Sequence, residues 1–112
     1  MKINRQLVLD KYNSRCAYCG DYINLKTMQV DHLIPQRDNL RYAKEDIHSF
    51  DNLMPSCRSC NNYKSGNSLE IFRDGIQEQI NRLRRAKPTF RLAERFGLIA
   101  CAPKEIVFHF EK

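Results

Sequence analysis

Val30-Asp31-His32-Leu33-Ile34-Pro35 lies between two cysteine pairs, Cys16-Ala17-Tyr18-Cys19 and Cys57-Arg58-Ser59-Cys60. This nesting decides the fold. Two residues between paired cysteines let both sulfurs reach one ion, and zinc favours four tetrahedral ligands. Residues 20–56, 37 in all, separate the pairs, so one zinc held by Cys16, Cys19, Cys57 and Cys60 would close them into a loop. Four protein ligands leave no open position for water or substrate, which makes the role of such an ion structural. A redox dithiol pair and free buried thiols are the other readings of the same cysteines. Asp31 and His32, adjacent inside the closed loop, look like a second site.

The composition bounds what the chain can be. Its 112 residues suffice for one domain with a modest core, which a structural metal would help to hold together. Hydrophobic residues make up 42%, which excludes a disordered tail. The net charge of +6 favours an anionic partner. A zinc with four thiolates adds two negative charges and lowers that figure to about +4, so the cations must gather on one face to matter. Met1 to Tyr12 is polar and amphipathic, without the apolar run of a signal peptide. No stretch approaches the roughly 18 apolar residues of a membrane span. The expectation is a soluble, cytoplasmic protein with no membrane partner. In that reducing compartment five cysteines read as metal ligands rather than disulfides. Cys101, inside the apolar run 98–102, reads as a buried thiol.

Periodicity predicts the elements. Ile3, Leu7 and Val8 have helical spacing, and a first helix over 3–12 would deliver the chain to Cys16. Gly20 permits the tight turn of a zinc knuckle. Residues 22–34 read as extended structure with a turn, 35–51 as a long polar loop carrying Arg37, Arg41 and Lys44, and 53–55 as a short strand. A short helix follows over 58–64, ended by Gly66. Ser68 is a good N-cap for one long amphipathic helix over 69–86, stopped before Pro88. A second short helix covers 90–96 with Gly97 at its end, and the alternation of Ile106, Phe108 and Phe110 predicts a final strand over 105–110. Leu69, Phe72, Ile76, Ile80 and Leu83 read as core against Phe90, Phe96 and that strand, with a dimer interface as the minority reading.

The second site has its own chemistry. A largely neutral His32 can take a proton from water, and Asp31 offers the hard oxygen that Mg²⁺ prefers. Neighbouring strand residues point to opposite faces, so the strand must twist or end for both to share a site, and Pro35 fits an ending. Downstream stand Asp51-Asn52-Leu53-Met54-Pro55-Ser56-Cys57 and Cys60-Asn61-Asn62-Tyr63-Lys64. In order, spacing and interleaving with the cysteines, residues 16–64 resemble the HNH endonuclease family, whose fold is the ββα-metal or His-Me finger motif. The resemblance covers 49 of the 112 residues.

It implies an α+β protein with a ββα-metal core closed by a four-cysteine zinc, a helical C-terminal extension and a final strand. The expected organisation is a single domain over 1–112, with its motif core at 16–64 and the extension at 65–112. The resemblance assigns His32 as general base and Asn52 as the residue that braces the hairpin and orients His32. Asp31 and Asn61 become the protein ligands of one catalytic ion, and Lys64 a phosphate contact. The last motif letter is Asn rather than His, an H-N-N variant whose hard amide oxygen favours Mg²⁺ or Mn²⁺. Asn62 is an alternative reading of that position. The implied activity is metal-dependent hydrolysis of DNA phosphodiesters, the DNA double-stranded, in a phage or bacterial setting. A homodimer or a protein partner stays open.

Arg82, Arg84, Arg85, Lys87 and Arg91 cluster at the end of the expected long helix. They read either as a solvated helix end that complements the dipole or as a patch tracking DNA phosphates. His48 reads as a loop residue and His109 as an outward strand position. Two alternatives to a DNA nuclease remain: a non-catalytic zinc module that binds nucleic acid or protein, and the same chemistry on RNA or modified DNA.

Overall fold

Two short antiparallel strands and the helix that follows them carry the middle of the chain. The computed structural model describes residues 2–38 and 41–112. Met1, and residues 39 and 40 of the expected 35–51 loop, lie outside the described residues. In chain order the elements are α1 (Arg5–Asp10), β1 (Gln29–His32), α2 (Lys44–Ile47), β2 (Leu53–Ser56), α3 (Arg58–Lys64), α4 (Leu69–Gln77), α5 (Gln79–Ala86) and α6 (Pro88–Arg95). β1 pairs with β2 so that Gln29 faces Ser56 and His32 faces Leu53. Every residue of β2 is buried, and α3 begins directly after Cys57. The architecture is α+β, with a ββα unit at its centre.

The core sits where the knuckle, the hairpin and α4 meet. Asn4 caps α1 by accepting from the Leu7 N–H, and α1 buries Val8 and Leu9 rather than the expected Leu7. Leu53 and Met54 come from β2, Phe72 from α4 and Phe108 from the C-terminal segment. Phe72 and Phe108 stack at 5.0 Å, and Tyr18 meets both edge-on at 5.3 and 5.5 Å. Offset and edge-to-face pairs of this kind add about 0.5–1.5 kcal/mol each beyond their buried area.

Three expected elements are corrected. Residues 35–51 are not one loop: α2 forms there, with 3₁₀ turns over Gln36–Asp38 and Phe50–Asn52. The helix α3 covers 58–64 as expected, and Ser65, at φ +54°, ends it just before Gly66. The expected helix over 69–86 is two helices that break at Glu78. The cause is local. The Tyr63 hydroxyl donates to the Gly75 carbonyl at 3.2 Å, the acceptor that a continuous helix would offer to Gln79. Tyr63 can come so close because Gly75 has no Cβ; one placed there would lie 3.3 Å from the ring.

The third correction concerns the final strand. Residues 105–110 form no ladder, and the segment ends in a 3₁₀ turn over His109–Glu111. Side chains of α4 occupy its carbonyls instead: Gln77 donates to Lys104 O at 2.9 Å and Arg73 to Ile106 O at 2.8 Å. The alternation still has its predicted use, since Phe108 and Phe110 both pack on the ring of Tyr18.

The helical extension leaves the core. The radius of gyration is 16.7 Å, against about 13 Å for a compact chain of this length. α6 folds back on α5, and Arg84 holds Glu94 across that pair at 2.8 Å. Phe96 is therefore not core, as its spacing suggested, but 77% exposed, and Leu98 is 79% exposed. Cys101 is only half-buried. Among the described residues no helix is long and apolar enough to cross a membrane.

Truncation at the two ends of this gradient should differ sharply. Phe72→Ala is expected to lower unfolding free energy by about 3–5 kcal/mol, and Leu98→Ala by less than about 0.5 kcal/mol, in urea titrations followed by circular dichroism.

Candidate active site and metal centre

The cysteine pairs converge as their spacing predicts. One sulfur from each of Cys16, Cys19, Cys57 and Cys60 lies within 4.8 Å of the others. A tetrahedral ion with sulfur ligands at about 2.3 Å sets its sulfurs about 3.8 Å apart. Cys19 and Cys57 stand at that 3.8 Å. Gly20 turns the knuckle at φ +84°, and the Tyr18 N–H donates to Cys16 Sγ at 3.4 Å. On the other arm the Cys60 N–H donates to Cys57 Sγ at 3.4 Å. Hydrogen bonds, first from Cys60, pull the Cys16 thiol down to about 4, whereas burial pushes Cys19 up to about 12. The bond with Cys16 likewise raises Cys60. The set fits a closed metal centre.

The chain reverses just after β1, and Asn52 enforces the reversal. Its Oδ1 accepts from the Ile34 N–H at 2.7 Å, and its Nδ2 donates to Ile34 O at 3.1 Å and to Ile47 O at 2.7 Å. Its carbonyl accepts from the Leu33 N–H at 2.9 Å. β1 therefore ends at His32, and Asp31 and His32 line one cleft of about 240 Å³ with Pro35, Gln36, Arg37 and Ser65.

His32 faces a mixed environment. The Gln36 amide lies 3.3 Å from its Nδ1, and the His48 ring meets it edge-on at 5.5 Å. Its Nε2 is buried without a partner among the described residues. Burial, then the neighbouring His48, lowers its pKa, which keeps the ring neutral near pH 7.

Asp31 is buried and doubly held. The Tyr18 hydroxyl donates to its Oδ2, and Lys64 Nζ reaches the same oxygen at 3.0 Å. Neither contact uses Oδ1. Burial first, and then the Asp31 charge, raises the Tyr18 pKa, so the phenol stays a donor. Lys64 also donates to the His32 carbonyl at 3.1 Å and is 0% exposed. The expected phosphate contact at Lys64 is thus overturned: its ammonium is shut away from solvent and bound to Asp31. Asn61, one turn earlier on α3, gives its Nδ2 to Gln29 Oε1. That bond steadies the amide, and its Oδ1 has no partner among the described residues. Asn61 is not among the residues that line the cleft of Asp31 and His32.

Of the basic cluster, Arg84 is committed to Glu94, Arg91 donates to the Arg84 carbonyl, and Arg82 bonds the Tyr63 hydroxyl at 3.1 Å. Arg85 and Lys87 are exposed. His109 packs on Gly20 and Tyr12 rather than outward from a strand. Residue types and spacing did not reveal Tyr18, Gln29, Gln36 or His48. Only the position of Tyr18 between two ligands hinted at a use.

Comparison with known proteins agrees with this geometry. Residues 16–66 match the family model described as HNH endonuclease. Over 64 residues the chain is 28% identical to the CRISPR-associated endonuclease Cas9 of Corynebacterium diphtheriae, covering 57% of this chain and 5% of that protein. Over 83 residues it is 30% identical to the CRISPR-associated endonuclease Cas9 of Actinomyces naeslundii, covering 68% of this chain and 7% of that protein. The crystal structure of the Type II-C Cas9 enzyme from Actinomyces naeslundii aligns with a TM-score of 0.51 at 24% identity, over 81% of this chain and 11% of that one. The last likeness is one of fold. This chain spans 5% and 7% of the length of the two curated relatives it matches.

Asn52→Ala removes three side-chain hydrogen bonds and leaves buried backbone groups unpaired. It should destabilise the protein by about 2–3 kcal/mol in urea unfolding, with the metal content of the cysteine centre unchanged.

Proposed function

We propose that this chain, a member of the HNH endonuclease family through residues 16–66, is a metal-dependent endonuclease that hydrolyses DNA phosphodiester bonds. The observation that carries this reading is the shared cleft: Asp31 and His32, strand neighbours, face one opening because Asn52 turns the chain after them. Residues 1–112 act as one domain, since Phe108 and Phe110 of the extension pack on Tyr18 in the knuckle. Zinc is the natural ion for the four thiolates, and its role there is to hold knuckle and α3 together.

A phosphodiester resists hydrolysis because phosphate and nucleophile repel each other. His32, neutral near pH 7, takes a proton from the attacking water, a step worth about 10²–10⁴-fold in rate. Gln36 steadies the His32 ring through Nδ1, and Asn52 sets the backbone that carries it. Asp31 and Asn61 would hold Mg²⁺ or Mn²⁺ by their free oxygens. That ion would supply charge neutralisation at the phosphate and at the departing 3′-oxygen. The products would carry 5′-phosphate and 3′-hydroxyl ends. With Lys64 buried, phosphate contacts fall to Arg82, Arg85 and Lys87, on and just after α5.

Plasmid relaxation with Mg²⁺ or Mn²⁺ tests the chemistry. The wild type should convert supercoiled plasmid, and His32→Ala at equal zinc content should lose at least about 100-fold in rate. Conversion by neither protein would favour a zinc module that binds without cutting, and equal conversion would remove His32 from the chemistry. For the basic tract, Arg85→Ala with Lys87→Ala should make the log–log salt dependence of duplex binding shallower by about 1.8.

A further inference from the structure

Tyr18 occupies a variable position of the first cysteine pair, where the spacing alone asks nothing of its side chain. Every part of it is nevertheless engaged. Its N–H serves Cys16 Sγ, and its carbonyl accepts from the His109 N–H at 3.0 Å. Its ring is held edge-on by Phe72, Phe108 and Phe110 at 5.3, 5.5 and 6.0 Å. Among the described residues its hydroxyl has a single partner, Asp31 Oδ2. For packing alone a phenylalanine would serve, because a buried hydroxyl is costly unless it is paired. Three aromatic neighbours leave the phenol no room to swing, so the knuckle and the C-terminal segment together set where the hydroxyl lies. Lys64 meets the same oxygen from α3. With two donors on Oδ2, the carboxylate cannot rotate without breaking one of them, and Oδ1 is the oxygen left to bind.

The geometry points to Tyr18 as a positioning residue: its hydroxyl fixes Oδ2 of Asp31 and thereby presents Oδ1 to a divalent cation. Cation binding at the reactive pair then depends on the cysteine centre and on residues 106–110, although neither touches the cation. The inference rests on the reading of Asp31 as a ligand. Outer partners of this kind govern metal affinity by about 10–100-fold.

The test is binding of Mn²⁺ alone, without DNA, followed by electron paramagnetic resonance on wild type, Tyr18→Phe and Asp31→Ala, with zinc content measured on each. Tyr18→Phe should keep its zinc and bind Mn²⁺ about 10-fold more weakly. Its plasmid cleavage should recover as Mn²⁺ is raised, a shift in half-saturating metal rather than in maximal rate. Unchanged Mn²⁺ affinity with zinc retained overturns the inference. Loss of zinc also overturns it, because Tyr18 would then serve only the fold of the knuckle. Asp31→Ala separates the two levels of the argument. If it binds Mn²⁺ as wild type does, Asp31 is not a ligand and both readings fall. If it loses Mn²⁺ while Tyr18→Phe does not, only the role of Tyr18 falls.

Discussion

Four sulfurs within 4.8 Å of one another are the constraint on which the rest of the structure depends. They come from opposite ends of a 37-residue stretch, so bringing them together closes a loop whose entropy the short strands could not offset alone. A two-stranded hairpin is marginal by itself in water. Here β1 and β2 are held between the knuckle and the first turn of α3, and the Ala17 N–H reaches Pro55 O at 2.8 Å. The ion that joins the sulfurs would be remote from the chemistry and yet decide the geometry in which chemistry occurs.

The second organising feature is a buried charge pair. Lys64 and Asp31 lie at 3.0 Å with almost no solvent contact. Removing water from two ions costs several kcal/mol each, so such a pair is weak evidence for stability. It makes better sense as a device for orientation. Lys64 bonds both the carboxylate of Asp31 and the carbonyl of His32, which ties the end of α3 to the end of β1 at the two residues of the reactive pair. Asn52 braces the chain just beyond them, its side-chain amide bonding the backbone of Ile34 and Ile47. Asp31 and His32 are thereby fixed from two directions by elements far apart in sequence.

The extension divides into two parts with different relations to the core. α4 and the segment 106–111 are built into it, through Phe72, Phe108 and the bidentate pair of Arg73 with Glu111. α5, α6 and the residues after them project, which is why the molecule measures 53 Å in its longest dimension but 23 Å in its shortest. The projecting arm carries the exposed cations Arg85 and Lys87, together with the apolar side chains of Leu92, Phe96 and Leu98.

Sequence alone determined the cysteine centre, whereas the roles proposed for Asp31, His32 and Asn52 came from resemblance to a known family. The centre rests on residue type and short spacing, because metal ligation tolerates few substitutes. Sequence also determined where α4 starts, because Ser68 carries its capping chemistry in the side chain. Tertiary structure decided what depends on partners distant in the chain. Lys64 looks like a surface cation by composition, and only the approach of β1 to α3 turns it into the buried partner of Asp31. The pattern of residues 69–86 is continuous, and only Tyr63 reaching Gly75 interrupts it. Alternation over 105–110 is the same whether the segment joins a ladder or lies on Tyr18, and it was the carbonyl partners offered by Gln77 and Arg73 that chose between them. Periodicity reports which side of a segment is apolar; the hydrogen-bonding partners that meet its backbone are set by the fold.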